Sequence, residues 1–332
     1  EEVHRLWKMM NEWVMNGFKE TYDRLGFSFE RYYLESETYT LGKSLVESGL
    51  SKGVFEKDAT GAVIADLHPY GLGKKILLRP DGTSIYITQD LGTTVVKQHD
   101  YNLTHSICVV AHEQEHHFKV LAKLLDLFGY EWAGGLYHMS YGLVHLPEGR
   151  MKSREGTVVD IDDFLDNFFA MALKEVSARG NVPTGLQESM AQVISLAAAK
   201  FGFLSVEPIR DLTFNPKAAI SFEGHTGPYI QYANARAKSI LEKATGESVD
   251  SSAATSLNGD AEMELALTLA DYPAVVEEAG QKYSPSLVAN YLYQLAQAFS
   301  VFYHAENVLK EENEMKRRGR LALCTSASHV LL

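Results

Sequence analysis

Residues 149–160, GRMKSREGTVVD, place Arg150, Lys152 and Arg154 at alternate positions between Gly149 and Gly156. Glycine reaches backbone conformations closed to other residues, so a glycine-flanked cationic loop is suited to moving onto an anion. Residue types alone do not say which anion. A second candidate site lies in TSIYIT (83–88) and just beyond it. Its β-branched and aromatic residues read as a strand over 83–88 that contains Tyr86 and ends just before Asp90. A carboxylate at the carboxyl end of a parallel strand faces the ligand crevice and could bind a cation. The same aspartate also suits a helix N-cap. A third candidate is HEQEHH (112–117), where Gln114 and His117 stand three apart. That spacing puts both on one helix face near its start, ready to hydrogen-bond a polar ligand or simply exposed in a first turn. His112, Glu113 and His116 also make a literal H-E-x-x-H, which on a continuous helix holds zinc and supplies a base. Here it falls at the exit of an apolar strand with no third ligand at a suitable spacing, so a zinc hydrolase stands only as an alternative and no metal ligand is expected.

These side chains must be held by regular elements. ICVVA (107–111) reads as a strand buried on both faces, 113–129 as an amphipathic helix, and 136–146 as a third strand. With 83–88 and a helix over 90–100, the order is strand–helix–strand–helix–strand, half of a doubly wound parallel sheet. Residues 1–26 predict a helix, with Trp7, Met10, Val14 and Phe18 at helical spacing. Residues 27–82 read as irregular. Beyond residue 160 the texture is helical throughout, interrupted by a polar stretch at 245–260 that reads as a surface loop. The predicted fold class is α/β followed by all-α.

The chain has 332 residues, 45% hydrophobic and 22% charged, enough for a large core and two domains. No apolar run is long enough to span a membrane, and the acidic amphipathic start does not read as a signal peptide. Cys108 and Cys324 lie far apart in apolar contexts and read as free thiols of a reducing compartment. A net charge of −12 argues against a general nucleic-acid surface, though not against a local basic face.

Four stretches, in order, resemble the arginyl-tRNA synthetases, a class I aminoacyl-tRNA synthetase family. They are LLRPDGTSIYITQDLGTT (with Pro80 where the family has serine), VVAHEQEHHFKVLAKLLDLFGYEWA, YGLVHLPEGRMKSREGTVVDIDDFLD and FEGHTGPYIQYANARAKSIL. The resemblance implies the C-terminal part of a Rossmann-type catalytic domain over 1–228 and a helical anticodon-binding bundle over 229–332. It implies an arginine–tRNA ligase, cytoplasmic and monomeric, acting on L-arginine, on ATP with Mg2+, and on tRNA(Arg). Tyr86 and Asp90 would then bind the arginine substrate, Asp90 meeting its guanidinium, and Gln114 would contact the substrate side chain. His117, Met151 and Ser153 would lie at ATP.

The loop at 149–160 looks like the family's KMSKS loop, closing on the triphosphate as pyrophosphate leaves. This sequence reads R-M-K-S-R, and Ser153 stands where the family has its second lysine, so Arg154 or Lys152 takes that part, beside Arg150. The family's other ATP motif, H-x-G-H, occurs nowhere in these residues; His68 and His225 sit in the wrong pattern. The sequence is therefore expected to be a truncated form, inactive alone, and a non-catalytic tRNA-binding role is the second alternative. At the start of the bundle, Tyr229, Tyr232, Asn234, Arg236 and Lys238 cluster. Aromatic rings stack on splayed bases and cations meet phosphate, which makes Tyr229 and Arg236 the expected tRNA contacts. The alternative reading puts Tyr232 in the core and leaves the cations as a solvated helix face.

Overall fold

The computed structural model describes residues 1–145, 160–180, 182–244 and 251–332. Arg150, Met151, Lys152, Ser153 and Arg154 lie outside the described residues. Two compact units are formed, one by residues 26–142 and one by residues 1–25 with 143–332.

The chain opens with helix α1 (Glu2–Leu25), as its spacing predicts. None of its residues is buried, and Leu6, Trp7, Met10, Trp13 and Phe18 are exposed. Its last turn is tied to its own unit: Arg24 pairs with Asp166 at 2.5 Å, and the Thr21 hydroxyl donates to Asp162 at 2.7 Å.

The 26–142 unit is more regular at its start than the sequence suggests. Residues 27–82 contain helix α2 (Glu35–Ser51) and an antiparallel sheet of β1 (Glu56–Lys57), β2 (Val63–Leu67) and β3 (Gly73–Leu78). Turn-rich composition hid strands this short. The expected strand at 83–88 is not there. Asp81 accepts hydrogen bonds from the Thr83 backbone and hydroxyl, one β-bridge joins Leu78 to Ser84, and the chain then enters helix α3 (Tyr86–Tyr101). The β-branched and aromatic residues that suggest a strand are overridden by packing. Gly42 of α2 and Gly92 of α3 let the two helix backbones touch, so closely that a Cβ on Gly42 would lie 1.8 Å from the Thr88 carbonyl oxygen. Thr88 is fully buried, and its hydroxyl donates to the Leu77 carbonyl.

Next comes the strand–helix–strand unit that the pattern does predict: β4 (Ser106–Ala111), α4 (Glu115–Leu127) and β5 (Leu136–Tyr141). β4 and β5 pair in parallel from Ser106↔Leu136 to Ala111↔Tyr141. Val120, Leu121, Leu124 and Leu125 of α4 are buried with Leu67, Leu77 and Leu91 in one core. Each fully buried leucine contributes roughly 1.5–3 kcal/mol. β4 is covered on one face only; Ile107 and Val109 of the other are exposed, against the expectation of a strand buried on both sides. The third predicted strand, 136–146, divides. β6 (Val144–His145) belongs to the other unit and pairs in parallel with β7 (Leu212–Thr213).

In that unit α5 (Ile161–Arg179) is N-capped by Asp160, whose carboxylate accepts from the Asp162 N–H at 2.9 Å. It packs with α6 (Thr184–Leu204) around Phe164, Phe168, Phe203 and Phe214. A short helix, α7 (Pro216–Ala219), leads to α8 (Gly227–Lys243). There follow α9 (Asp260–Ala270), α10 (Tyr272–Lys282), α11 (Pro285–Ala305) and α12 (Glu314–Leu331). α8, α9, α11 and α12 share a core with Leu265, Leu295, Phe299, Phe302 and Leu321. The 245–260 stretch is not simply a surface loop. Its described part forms a 3-10 helix over Ser251–Ser256, with Ala253 and Leu257 buried where Gly319 of α12 permits close approach. Both cysteines are free, Cys108 partly buried and Cys324 buried, and burial pushes the Cys324 thiol up to about 12. No described helix is long and apolar enough to cross a membrane.

Candidate functional site

The first turn of α3 carries an unusual edge. Ile87, Thr88, Leu91 and Gly92 make its buried stripe, so Tyr86 and Asp90 fall beside that stripe, one turn apart on a shared edge. Tyr86, the first helical residue, is 80% exposed, and the Asp90 side chain is 49% exposed. Asp90 is neither at a strand end nor a helix cap; the N-cap position is Ile85. An aromatic face and a carboxylate on one open helix edge suit a planar cation. The ring quadrupole attracts the charge, and the carboxylate accepts charge-assisted hydrogen bonds.

The entry to α4 supplies the other side. β4 leads into a 3-10 turn, His112–Gln114, and Gln114 takes the N-cap position of α4, exposed at the start of the helix. His117, three residues on, is only 18% exposed, and its Nε2 lies 2.6 Å from Asp90 Oδ2. The structure thus brings together Asp90 and His117, from two predicted clusters that no periodicity connects. His112 lies in the 3-10 turn and His116 in α4, so the H-E-x-x-H match is not on one continuous helix, and the zinc alternative loses the geometry it requires. Among the described residues no group of three or more histidine, cysteine, aspartate and glutamate side chains could hold a metal ion.

A second cluster lies on α8 and α11. Thr226 caps α8, its hydroxyl accepting from the Tyr229 N–H at 3.2 Å. Tyr229 is turned toward the core, its hydroxyl 3.3 Å from Ser300 Oγ and its ring 5.5 Å from that of Tyr293. Tyr232 is instead the exposed ring, at 44%. The guanidinium of Arg236 sits 4.3 Å from the Tyr232 centroid and 4.9 Å from that of Tyr303 on α11. Sequence reasoning missed Tyr303, because nothing local links α11 to α8. Beside this stack is a cleft of about 320 Å3 whose lining includes Arg236, Lys243, Tyr303 and His304. Aromatic and cationic groups around an open cleft are the means by which proteins hold single-stranded nucleic acid.

The family of class I tRNA synthetases (R), catalytic domain, matches residues 1–216. The chain belongs to the arginyl-tRNA synthetase family. A DALR anticodon binding domain matches residues 230–332. The arginine–tRNA ligase of Parabacteroides distasonis is 44% identical over 337 residues, taking in 100% of this chain and 56% of the relative. That of Phocaeicola vulgatus is 46% identical over 337 residues, with 99% and 55% covered. Among solved structures, the arginyl-tRNA synthetase of Thermus thermophilus is similar over 89% of this chain and 56% of its own, with a TM-score of 0.78 and 27% identity. The chain spans about half the length of the curated relatives it matches. Tyr86, Asp90, Gln114 and His117 fall inside the catalytic match. Tyr232, Arg236 and Tyr303 fall inside the anticodon-binding match, and Tyr229 falls just before it.

Proposed function

We propose that the protein acts as an arginine–tRNA ligase. In this reading the carboxylate oxygen of L-arginine attacks the α-phosphorus of ATP, held as its Mg2+ complex. The bond to the β,γ-phosphates breaks, pyrophosphate leaves, and the arginyl group then passes from the adenylate to the 3′ end of tRNA(Arg). The observation that carries this reading is the open Tyr86–Asp90 edge inside the catalytic match. A guanidinium is the planar cation that such an edge suits, and Asp90 is its charged partner. Gln114 contacts the substrate side chain from the start of α4.

Arg150, Lys152 and Arg154 take up charge on the departing pyrophosphate, with Met151 and Ser153 bordering ATP. Groups that act on charge as it develops lower the barrier more than they tighten the ground state. Arg236 meets the tRNA, with Tyr232 and Tyr303 supplying stacking faces and Tyr229 supporting them from the core. The functional division falls between 1–228 and 229–332, and the protein works as a cytoplasmic monomer. The test is arginine-dependent exchange of pyrophosphate into ATP by the full-length gene product, with and without tRNA(Arg). Exchange that needs arginine and no other amino acid is expected; its absence in both conditions overturns the reading.

A further inference from the structure

We infer that His117 is a positioning residue for arginine recognition: it holds the Asp90 carboxylate in the orientation that receives the guanidinium. This rests on the ligase reading above, and it moves His117 from the nucleotide to the amino-acid side of the site.

Asp90 alone is poorly prepared for that task. It stands half-exposed on an open helix edge, where a short carboxylate side chain samples several rotamers. A fork-like guanidinium rewards a fixed carboxylate plane, and a mobile acceptor loses part of the binding energy to ordering. The Nε2–H of His117 donates to Oδ2 at 2.6 Å, which fixes that oxygen and leaves Oδ1, with no other partner found among the described residues, for a ligand. His117 is itself held. Its ring meets Phe118 edge-on at 5.7 Å, and Phe118 stacks on His138 at 4.5 Å and 16°. His138 Nε2–H in turn donates to the Val110 carbonyl of β4 at 2.9 Å. The orientation of Asp90 therefore traces back through packed rings to the backbone of the parallel strand pair. A residue serving only as a helix-surface salt bridge needs no such support, and exposed pairs of that kind contribute little.

The experiment uses the full-length gene product with three proteins: wild type, His117→Phe, which keeps a flat ring but donates nothing, and His117→Gln, whose amide N–H reaches a similar point. His117→Phe is expected to raise KM for arginine about tenfold, the scale of one lost charge-assisted hydrogen bond. kcat and KM for ATP should stay within about twofold, because arginine binding is altered and transition-state contacts to the phosphates are not. His117→Gln should restore most of the arginine KM. A rise confined to KM for ATP overturns the proposal and returns His117 to the nucleotide. An unchanged arginine KM in His117→Phe also overturns it, as does His117→Gln failing as badly as His117→Phe while folding normally. If the wild type shows no arginine-dependent exchange, the ligase reading fails separately. The dyad is then judged in the 332-residue chain by the imidazole 15N resonances. A His117 Nε2 signal that moves on Asp90→Ala, which removes the acceptor, supports the positioning contact, and one that does not move overturns it.

Discussion

Asp90→Asn is the most direct probe of the site. The amide nearly matches the carboxylate in shape, and its oxygen still accepts from His117 Nε2–H, so α3 and α4 keep their contact. Only the charge is lost. Two unit charges 4 Å apart attract by about 4 kcal/mol at an effective permittivity of 20 and by about 1 kcal/mol in bulk water. The Asp90 side chain is 49% exposed, between those limits, and a bound arginine would exclude part of the remaining water. The expected loss is therefore about 2–3 kcal/mol in kcat/KM for arginine, roughly 30- to 150-fold. The same substitution should leave citrulline, which is isosteric but uncharged, almost unaffected, so discrimination between the two collapses by a similar factor. The assay is pyrophosphate exchange with each amino acid in the full-length gene product, alongside a denaturation curve to show that the fold is intact. Normal arginine activation by the folded Asp90→Asn variant would refute the argument, because the carboxylate would then be an ordinary surface charge.

Three further outcomes are expected. Lys152→Ala and Arg154→Ala should lower kcat for arginine activation more than they raise KM for ATP, as steady-state kinetics can show; unchanged turnover in both and in the double variant would place the essential cation elsewhere. Gly42→Ala should destabilise the 26–142 unit by about 2 kcal/mol or more, since its Cβ would meet the Thr88 carbonyl at 1.8 Å and neither helix backbone can give way cheaply; urea denaturation reads this, and an unchanged midpoint would contradict it. Arg320→Met should cost about 3–5 kcal/mol, because Glu262, fully buried, loses the guanidinium 2.6 Å away and is left, among the described residues, with Lys316 at 3.7 Å as its cationic partner beside the Gly259 and Asn258 N–H groups. Burial raises the Glu262 carboxyl, but hydrogen bonds from the Gly259 N–H, Arg320 and the Asn258 N–H outweigh it and hold the group below the usual carboxylate range. The native stability it contributes is complete above that range and lost as pH falls through the depressed value, so the Arg320→Met denaturation midpoint should vary less with acid than that of the wild type.

The second cluster shows how far local reasoning reaches. Arg236 is marked by its sequence neighbourhood, and so are the tyrosines four and seven residues before it. Which tyrosine faces outward is a different matter. At three-residue spacing both occupy nearly the same side of α8, and the choice depends on where α11 packs. Once Tyr293 and Ser300 of α11 take up Tyr229, Tyr232 is left outside with Arg236, and Tyr303 closes on the same guanidinium.

The sequence by itself determined the features that rest on short-range repetition. A short apolar run and three-to-four-residue patterns located β4, α4 and β5 in their parallel order and placed α1, and motif residues singled out Asp90 and Gln114 as candidates. Those signals arise within one element, where a residue's neighbours are its sequence neighbours. Only the tertiary structure decided that 83–88 turns and enters a helix, because the competing term is the backbone contact of Gly42 with α3, invisible from the local β-propensity of TSIYIT. Only it joined Asp90 to His117. A hydrogen bond between two helices depends on their relative placement, and that placement is set by the shared core of Leu91, Val120, Leu121 and Leu124, not by the spacing of the residues that use it.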